Sequence, residues 1–300
     1  MLTHLDLFSG IGGFALGFRN AGGIRTVAFC EIDSYAKKVL AKNFPDTPIY
    51  PDVKEVKGDE LISRFGTIDI ITAGFPCQDI SCAGKQAGIK ANRSGLFYEA
   101  ARIIGEVRPR FAILENVTAL LSGDNGDWFG QILAELATIG YDAEWHCIQA
   151  ADFGAPHIRD RVWILAYPSI GGRSGETGVK LADDDTRLEE DGLLADSNDC
   201  RADVAYAESV GGDGGEYQQS STSPIPATTR AVYSAFSKRK YKWEPEPDVC
   251  RVAHGIPARV DRLRGLGNAV IPQIPEFFGR LILEKIGDSA KEKYRRAGER

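Results

Sequence analysis

The chain predicts an α/β fold, a doubly wound and mostly parallel sheet carrying a smaller irregular domain. Three observations lead there. Through the first two thirds, short apolar runs alternate with amphipathic stretches of helical period. The first apolar run passes into the second element through a glycine turn, Ser9-Gly10-Ile11-Gly12-Gly13. After Tyr167 the composition changes, with Gly, Ser, Asp and Thr dominating and apolar runs becoming short.

The elements follow in order. Leu5-Asp6-Leu7-Phe8 reads as a strand, and residues 14–21 as a helix stopped by Gly22-Gly23. Residues 26–30 form the next strand, with Glu31 at its end. Asp33 caps a helix over 34–43. Ile49-Tyr50 is a short strand running towards Asp52. Residues 68–73 are an apolar strand that delivers Gly74-Phe75-Pro76-Cys77-Gln78. Ser94 caps a helix with Leu96, Phe97, Ala100, Ile103, Ile104 and Val107 on one face. Phe111-Ala112-Ile113-Leu114 is a strand ending in Glu115. Residues 128–139 form a helix stopped by Gly140, and 143–149 and 162–166 read as two strands able to pair. Residues 274–285 read as an amphipathic helix docking on the first domain.

In an open parallel sheet the carboxyl ends of the strands face the ligand crevice. One strand end offers the Cys77 thiol and another offers the Glu115 carboxylate. A cysteine is commonly a small buried apolar residue, and a carboxylate at a sheet edge can be a helix cap. Cys77 differs in its setting. Pro76 fixes the backbone before it. The stretch 78–94 is polar, with Gly84, Gly88 and the basic Lys85, Lys90 and Arg93, and reads as a loop. Together the pair suits covalent attack on an electrophilic ring.

The glycine turn suits a nucleotide-type cofactor. Gly10, Gly12 and Ala15 match G-x-G-x-x-A, and Glu31 follows at about twenty residues, where a carboxylate meets ribose hydroxyls. Alone, this pattern fits a nicotinamide dehydrogenase as well as a methyltransferase, or an ordinary α/β turn.

Taken together, Asp6-Leu7-Phe8-Ser9-Gly10-Ile11-Gly12-Gly13, Pro76-Cys77-Gln78, Glu115-Asn116-Val117, Gln149 with Arg159-Asp160-Arg161, and Gly267-Asn268-Ala269-Val270 resemble the ordered motifs of the DNA (cytosine-5) methyltransferase family. The resemblance covers 4–167 and about 252–285. It implies a Rossmann-like, S-adenosyl-L-methionine-dependent fold. The cofactor would lie across Phe8, Gly10, Ile11, Gly12, Gly13, Glu31, Ile32, Asp52, Val53, Gly74, Pro76, Leu96, Asn268 and Val270. Glu31 would take the ribose hydroxyls and Asp52 the adenine amino group. Ile32 stands where many members carry a Trp against adenine, which leaves an apolar wall but weaker stacking. Cys77 would attack cytosine C6, Glu115 would hold or protonate N3, and Arg161 would contact O2 and help position Glu115, with Arg159 as the other catalytic-site arginine of the Arg-x-Arg pattern. Without the resemblance, the two arginines read equally as a surface ion pair with Asp160.

The same resemblance implies duplex DNA as substrate and a flipped-out base. It places the catalytic and cofactor domain at 1–167, a variable target-recognition region at 168–251, and a returning C-terminal segment at 252–300. Gln78, Ser81, Lys85 and Arg93 are expected on the DNA side of the loop, and Lys238, Arg239 and Lys240 in the variable region. Across residues 165–212 a faint repeat links Leu165-Ala166-Tyr167 to Val204-Ala205-Tyr206, and chance accounts for it equally well. Residues 169–250 hold nine Lys and Arg against sixteen Asp and Glu. Net charge, −6 overall, does not decide local binding, because phosphate contacts need only one basic face.

Three hundred residues and 43% hydrophobic content allow one large domain and one smaller. No apolar run is long enough for a bilayer span, and no signal peptide is read at the start. A cytoplasmic, monomeric enzyme of a prokaryote or phage is expected, with a cognate restriction endonuclease encoded separately as a partner the family admits. Six cysteines without a C-x-x-C pair and four scattered histidines predict no metal site. Three rival readings stand beside this one: a catalytically silent DNA-binding relative, a nicotinamide oxidoreductase, and a tRNA cytosine-5 methyltransferase of the same fold.

Overall fold

In a computed structural model the described residues are 1–76, 95–169 and 259–298. Seven strands form one sheet in the order β3-β2-β1-β4-β5-β7-β6. They are β1 (Leu2–Leu7), β2 (Ile24–Cys30), β3 (Ile49–Tyr50), β4 (Ile70–Gly74), β5 (Phe111–Val117), β6 (Tyr141–Gln149) and β7 (Asp160–Pro168). The pairs β1–β2, β1–β4, β2–β3 and β4–β5 are parallel. β7 runs antiparallel between β5 and β6. The doubly wound, mostly parallel sheet read from the sequence is therefore present.

Helices cover both faces: α1 (Gly13–Ala21), α2 (Ser34–Asn43), α3 (Gly58–Phe65), α4 (Leu96–Val107), α5 (Ala119–Ser122), α6 (Asp127–Thr138), α7 (Arg259–Asn268) and α8 (Gln273–Gly298). The pleat sorts the core. Ile71, Ala112 and Leu114 join Leu61, Phe97, Ile104 and Phe129 on one face. Ile70 and Ile113, one residue out of step, join Phe14, Phe18, Phe277 and Phe278 on the other. The second cluster is how α8 is held: Trp163 of β7 stacks on Phe278 with ring centroids 5.4 Å apart. Close approach also demands glycine. A Cβ on Gly279 would lie 2.9 Å from the Ala21 Cβ, so α8 presses on the end of α1.

Local signals hold where the backbone needs them. Asp33 caps α2, accepting from the Tyr35 and Ala36 amides at 2.9 and 2.8 Å. Gly22, at φ 74°, ends α1. The cap of α4 is different from the reading: Gly95 occupies it without a side-chain bond. Helix α3 is not among the elements predicted from the sequence. It is short, and its buried residues are only Gly58 and Leu61, too few to set a period.

Candidate active site

The chain runs outward from β1 to β2 and β3, then returns to β4 on the other side of β1. The sheet therefore reverses between β1 and β4, where a crevice opens at the strand ends. Register places Leu7 beside Ala73 and Gly74 beside Glu115. Because β7 is antiparallel, its first residues lie at this same edge, with Arg161 opposite Val117.

At the end of β1 the backbone turns sharply. Phe8 adopts φ 54°, a left-handed conformation that costs a non-glycine residue roughly 1–2 kcal/mol. The turn is pinned to β2, since the Ser9 amide donates to the Cys30 carbonyl at 3.1 Å and the Ser9 hydroxyl to the Asp6 carbonyl at 2.6 Å. Gly12, at φ 89°, leads into α1. At Gly13 a Cβ would stand 2.6 Å from the Val270 carbonyl oxygen, so the C-terminal segment closes directly onto the turn. Ile11 lies under α7, where a Cβ on Gly265 would come within 3.4 Å of it.

Glu31, just past β2, is buried. One of its oxygens accepts from the Gly10 amide at 2.6 Å and the other from the Asp33 amide at 2.7 Å. These two bonds fix the carboxylate against the glycine turn. Ile32 is 73% exposed beside it. Asp52 is half-buried and accepts from the Lys54 amide at 3.0 Å, while Val53 enters the core. Phe8 and Leu96 pack against that core. Asn268 is exposed and Val270 packs with the aromatic cluster under α8.

Glu115 is only 8% exposed. Arg161 Nε lies 3.2 Å from its Oε1. Burial pushes the Glu115 carboxyl above its ordinary range, and the attraction of Arg161 and Arg159 opposes that push without cancelling it. Arg159 donates to the Gly267 carbonyl at 2.6 Å, and burial together with Arg161 lowers its pKa. Among the described residues Arg161 meets Asp160 at the main-chain carbonyl, 2.6 Å away, and its carboxylate partner is Glu115. Gln149 and Asp152 form a reciprocal capping box on the turn that follows β6, and the Ala150 amide donates to the Arg159 carbonyl at 3.0 Å.

Gly74 sits close to Glu115, for a Cβ there would be 3.3 Å from Oε2. Phe75 is buried and Pro76 exposed. The Asn116 side-chain amide donates to the Phe75 carbonyl at 2.9 Å. That bond and the Gly267 link to Arg159 leave no trace in the sequence, because each joins residues distant along the chain, while the Asp33 amide bond to Glu31 spans only two residues and no sequence pattern marks it. Cys77, Gln78, Ser81, Lys85, Arg93, Lys238, Arg239 and Lys240 lie outside the described residues. Among the described residues no group of His, Cys, Asp and Glu could hold a metal ion, and no helix is long and apolar enough to cross a membrane.

Beneath the crevice runs a buried polar chain. His4 contacts Thr26 Oγ1 at 2.9 Å and Thr72 Oγ1 at 2.8 Å, and the Thr72 hydroxyl donates to Asp6 at 2.8 Å. Burial lowers the His4 pKa to about 3 and raises that of Asp6 well above its ordinary value.

The sheet order and strand-end crevice define a Rossmann-like fold, and the solved structure of S. pombe Dnmt2 methyltransferase shares it. The TM-score is 0.56 at 18% identity, with 95% of this chain and 99% of that one covered. Residues 2–189 match the model of the C-5 cytosine-specific DNA methylase family, and the chain belongs to that family. Among curated relatives, the type II methyltransferase M1.ScrFI of Lactococcus lactis subsp. cremoris is 39% identical over 163 residues, covering 54% of this chain and 41% of its own. The type II methyltransferase M2.BsuMI of Bacillus subtilis (strain 168) is 40% identical over 166 residues, with the same shares. The chain thus spans about two fifths of the length of these relatives.

Proposed function

We propose that this chain methylates C5 of a flipped-out cytosine in duplex DNA, with Cys77 as nucleophile and Glu115 as proton carrier. The observation that carries the reading is the strand-end arrangement. β4 runs into Pro76-Cys77, and beside it β5 presents a buried carboxyl whose pKa is raised although an arginine lies 3.2 Å away. A carboxyl so poised holds a proton near neutrality more readily than a free one, which suits a group that must protonate a ring nitrogen.

The chemistry balances on these residues. The Cys77 thiolate adds to C6 while Glu115 gives a proton to, or hydrogen-bonds, N3. The electron pair released into the ring makes C5 nucleophilic. S-adenosyl-L-methionine supplies an electrophilic methyl group on sulfonium. C5 would take that methyl group as the carbon–sulfur bond breaks and a neutral thioether leaves; water would then remove the C5 proton, the electron pair would expel the thiolate from C6, and any proton given to N3 would return to Glu115. Arg161, with Arg159, orients Glu115 and takes the base O2.

The residues present fit that cofactor. Glu31 has two backbone donors and, among the described residues, no cationic partner, leaving a carboxylate able to accept hydroxyl donors. Phe8, Gly10, Ile11, Gly12, Gly13, Asp52, Val53, Gly74, Pro76, Leu96, Asn268 and Val270 would complete the pocket, with the exposed Ile32 as an apolar wall for the adenine. Residues 168–251 would form the target-recognition region between a catalytic domain at 1–167 and the closing segment 252–300. Its basic cluster Lys238, Arg239 and Lys240 would face phosphate, and Gln78, Ser81, Lys85 and Arg93 would meet DNA from the catalytic loop. The enzyme would act as a cytoplasmic monomer, alongside a separately encoded restriction endonuclease.

The test is transfer of a labelled methyl group, comparing duplex DNA with tRNA, together with trapping on duplex DNA that carries 5-fluorocytosine. Wild type is expected to label duplex DNA and to form a covalent complex that Cys77→Ser cannot form. Adduct formation through Cys82, or label on tRNA alone, would sink the reading.

A further inference from the structure

Helix α7 touches both halves of the crevice through two contacts at its C-terminal end. Arg264 Nη2 lies 3.1 Å from Asp33 Oδ2. The other Asp33 oxygen caps α2, and the Asp33 amide is one of the two donors holding Glu31. Three residues further on, the Gly267 carbonyl accepts from Arg159, whose neighbour Arg161 pairs with Glu115. Between the two contacts, Gly265 lets the helix approach Ile11 of the glycine turn and the Tyr35 ring, to 3.4 and 3.5 Å for a Cβ built there.

We propose that Arg264 is a positioning residue for the cofactor carboxylate, acting through Asp33, and that α7 thereby couples occupancy of the glycine-turn pocket to the arginines beside Glu115. The proposal rests on the cofactor reading given above. Its geometry is a short helix with one anchor at each site. When a ribose draws on Glu31, the Asp33 backbone and its Arg264 partner are held more tightly. The same helix then holds the Gly267 carbonyl more firmly against Arg159. Arg264 also pairs with Asp261 of its own helix at 3.0 Å, which keeps the guanidinium near Asp33. Since Arg264 is 57% exposed, the pair is partly screened by solvent, and the effect is modest.

The experiment is calorimetry with S-adenosylhomocysteine on wild type, Arg264→Ala, Arg264→Lys, Asp33→Asn and the double variant Arg264→Ala/Asp33→Asn, joined to amide exchange of the bound and free proteins. Asn still caps a helix, so Asp33→Asn removes the ion pair and keeps α2. Arg264→Ala is expected to weaken binding roughly two- to fivefold, in line with a partly exposed pair, and Arg264→Lys to recover most of it. The double variant is expected to be no weaker than the weaker single variant. In wild type the ligand should slow exchange of the Ala150 amide, which is bonded to the Arg159 carbonyl. In Arg264→Ala that slowing should shrink. Unchanged affinity and unchanged slowing in Arg264→Ala, or single effects that add in the double variant, would overturn the proposal while leaving the pocket in place. A wild type that binds no S-adenosylhomocysteine overturns the cofactor reading, and this coupling with it.

Discussion

The Asn116 side chain reaches from the end of β5 to the Phe75 carbonyl, 2.9 Å away, and is itself buried. It clamps the backbone two residues before Cys77 to the residue next to Glu115. Under the reading above, one amide therefore sets the spacing of the nucleophile's segment and the proton carrier.

Asn116→Ala removes that clamp and leaves a buried carbonyl unpaired. A stability loss of about 1–3 kcal/mol is expected, as for other buried groups deprived of a partner. The methyl-transfer rate should fall by roughly tenfold or more, about 1.4 kcal/mol of barrier, with little change in S-adenosylhomocysteine affinity. Chemical unfolding and single-turnover transfer measure the two effects. A variant that is destabilised but fully active would show that the clamp serves the fold alone.

Glu115→Gln keeps the shape and removes the proton. The transfer rate is expected to drop by about 10²–10⁴, the range for a lost acid–base group. A stability signature accompanies it. The folded pKa of Glu115 is raised, so the native state keeps this proton to higher pH than the unfolded chain does. Stability is therefore lost as pH climbs above the ordinary carboxylate value towards the raised one, and Glu115→Gln should lack that loss. Urea midpoints for both proteins across this range provide the measurement, and parallel curves would contradict it.

His4 gives the opposite sign. Its ring is neutral in the fold, with a pKa near 3 against an ordinary 6.5. The unfolded chain takes up the proton first, so the stability contributed by neutral His4 is whole above pH 6.5 and is lost as pH falls from there towards 3. The slope is at most about 1.4 kcal/mol per pH unit. Carbon-13 NMR of the His4 ring should show the neutral form at pH 5, where a free histidine is charged. A protonated ring at that pH would refute the burial argument.

Cys30 is expected to be inert. Burial pushes its thiol to about 12, with Glu31, Asp52 and Asp6 adding to the effect. The thiolate needed for alkylation is then scarce at pH 8. Iodoacetamide followed by peptide mass spectrometry should leave Cys30 unmodified in the folded protein and modify it after denaturation. Rapid labelling of Cys30 in the folded state would mean that the end of β2 opens.

Sequence alone determined the alternation of strand and helix, the glycine turn, the caps at Asp33 and Gly22, and the strand ends that carry Glu31 and Glu115. These are local matters of period, turn chemistry and backbone freedom, and a linear text records them. The five ordered motifs carried the family in the same way. Other features belong to tertiary structure. Register set Gly74 opposite Glu115, and an antiparallel β7 brought Arg161 to that carboxylate. The return of the C-terminal segment pressed Val270 onto Gly13 and α7 between the two sites. Contacts such as Asn116 to Phe75, Asp33 to Arg264 and Arg159 to Gly267 leave no periodic trace, because their partners lie far apart in sequence and meet only when the sheet closes. The raised pKa of Glu115 belongs with them: an exposed carboxylate beside arginine would be lowered, and only burial in the assembled crevice reverses the sign.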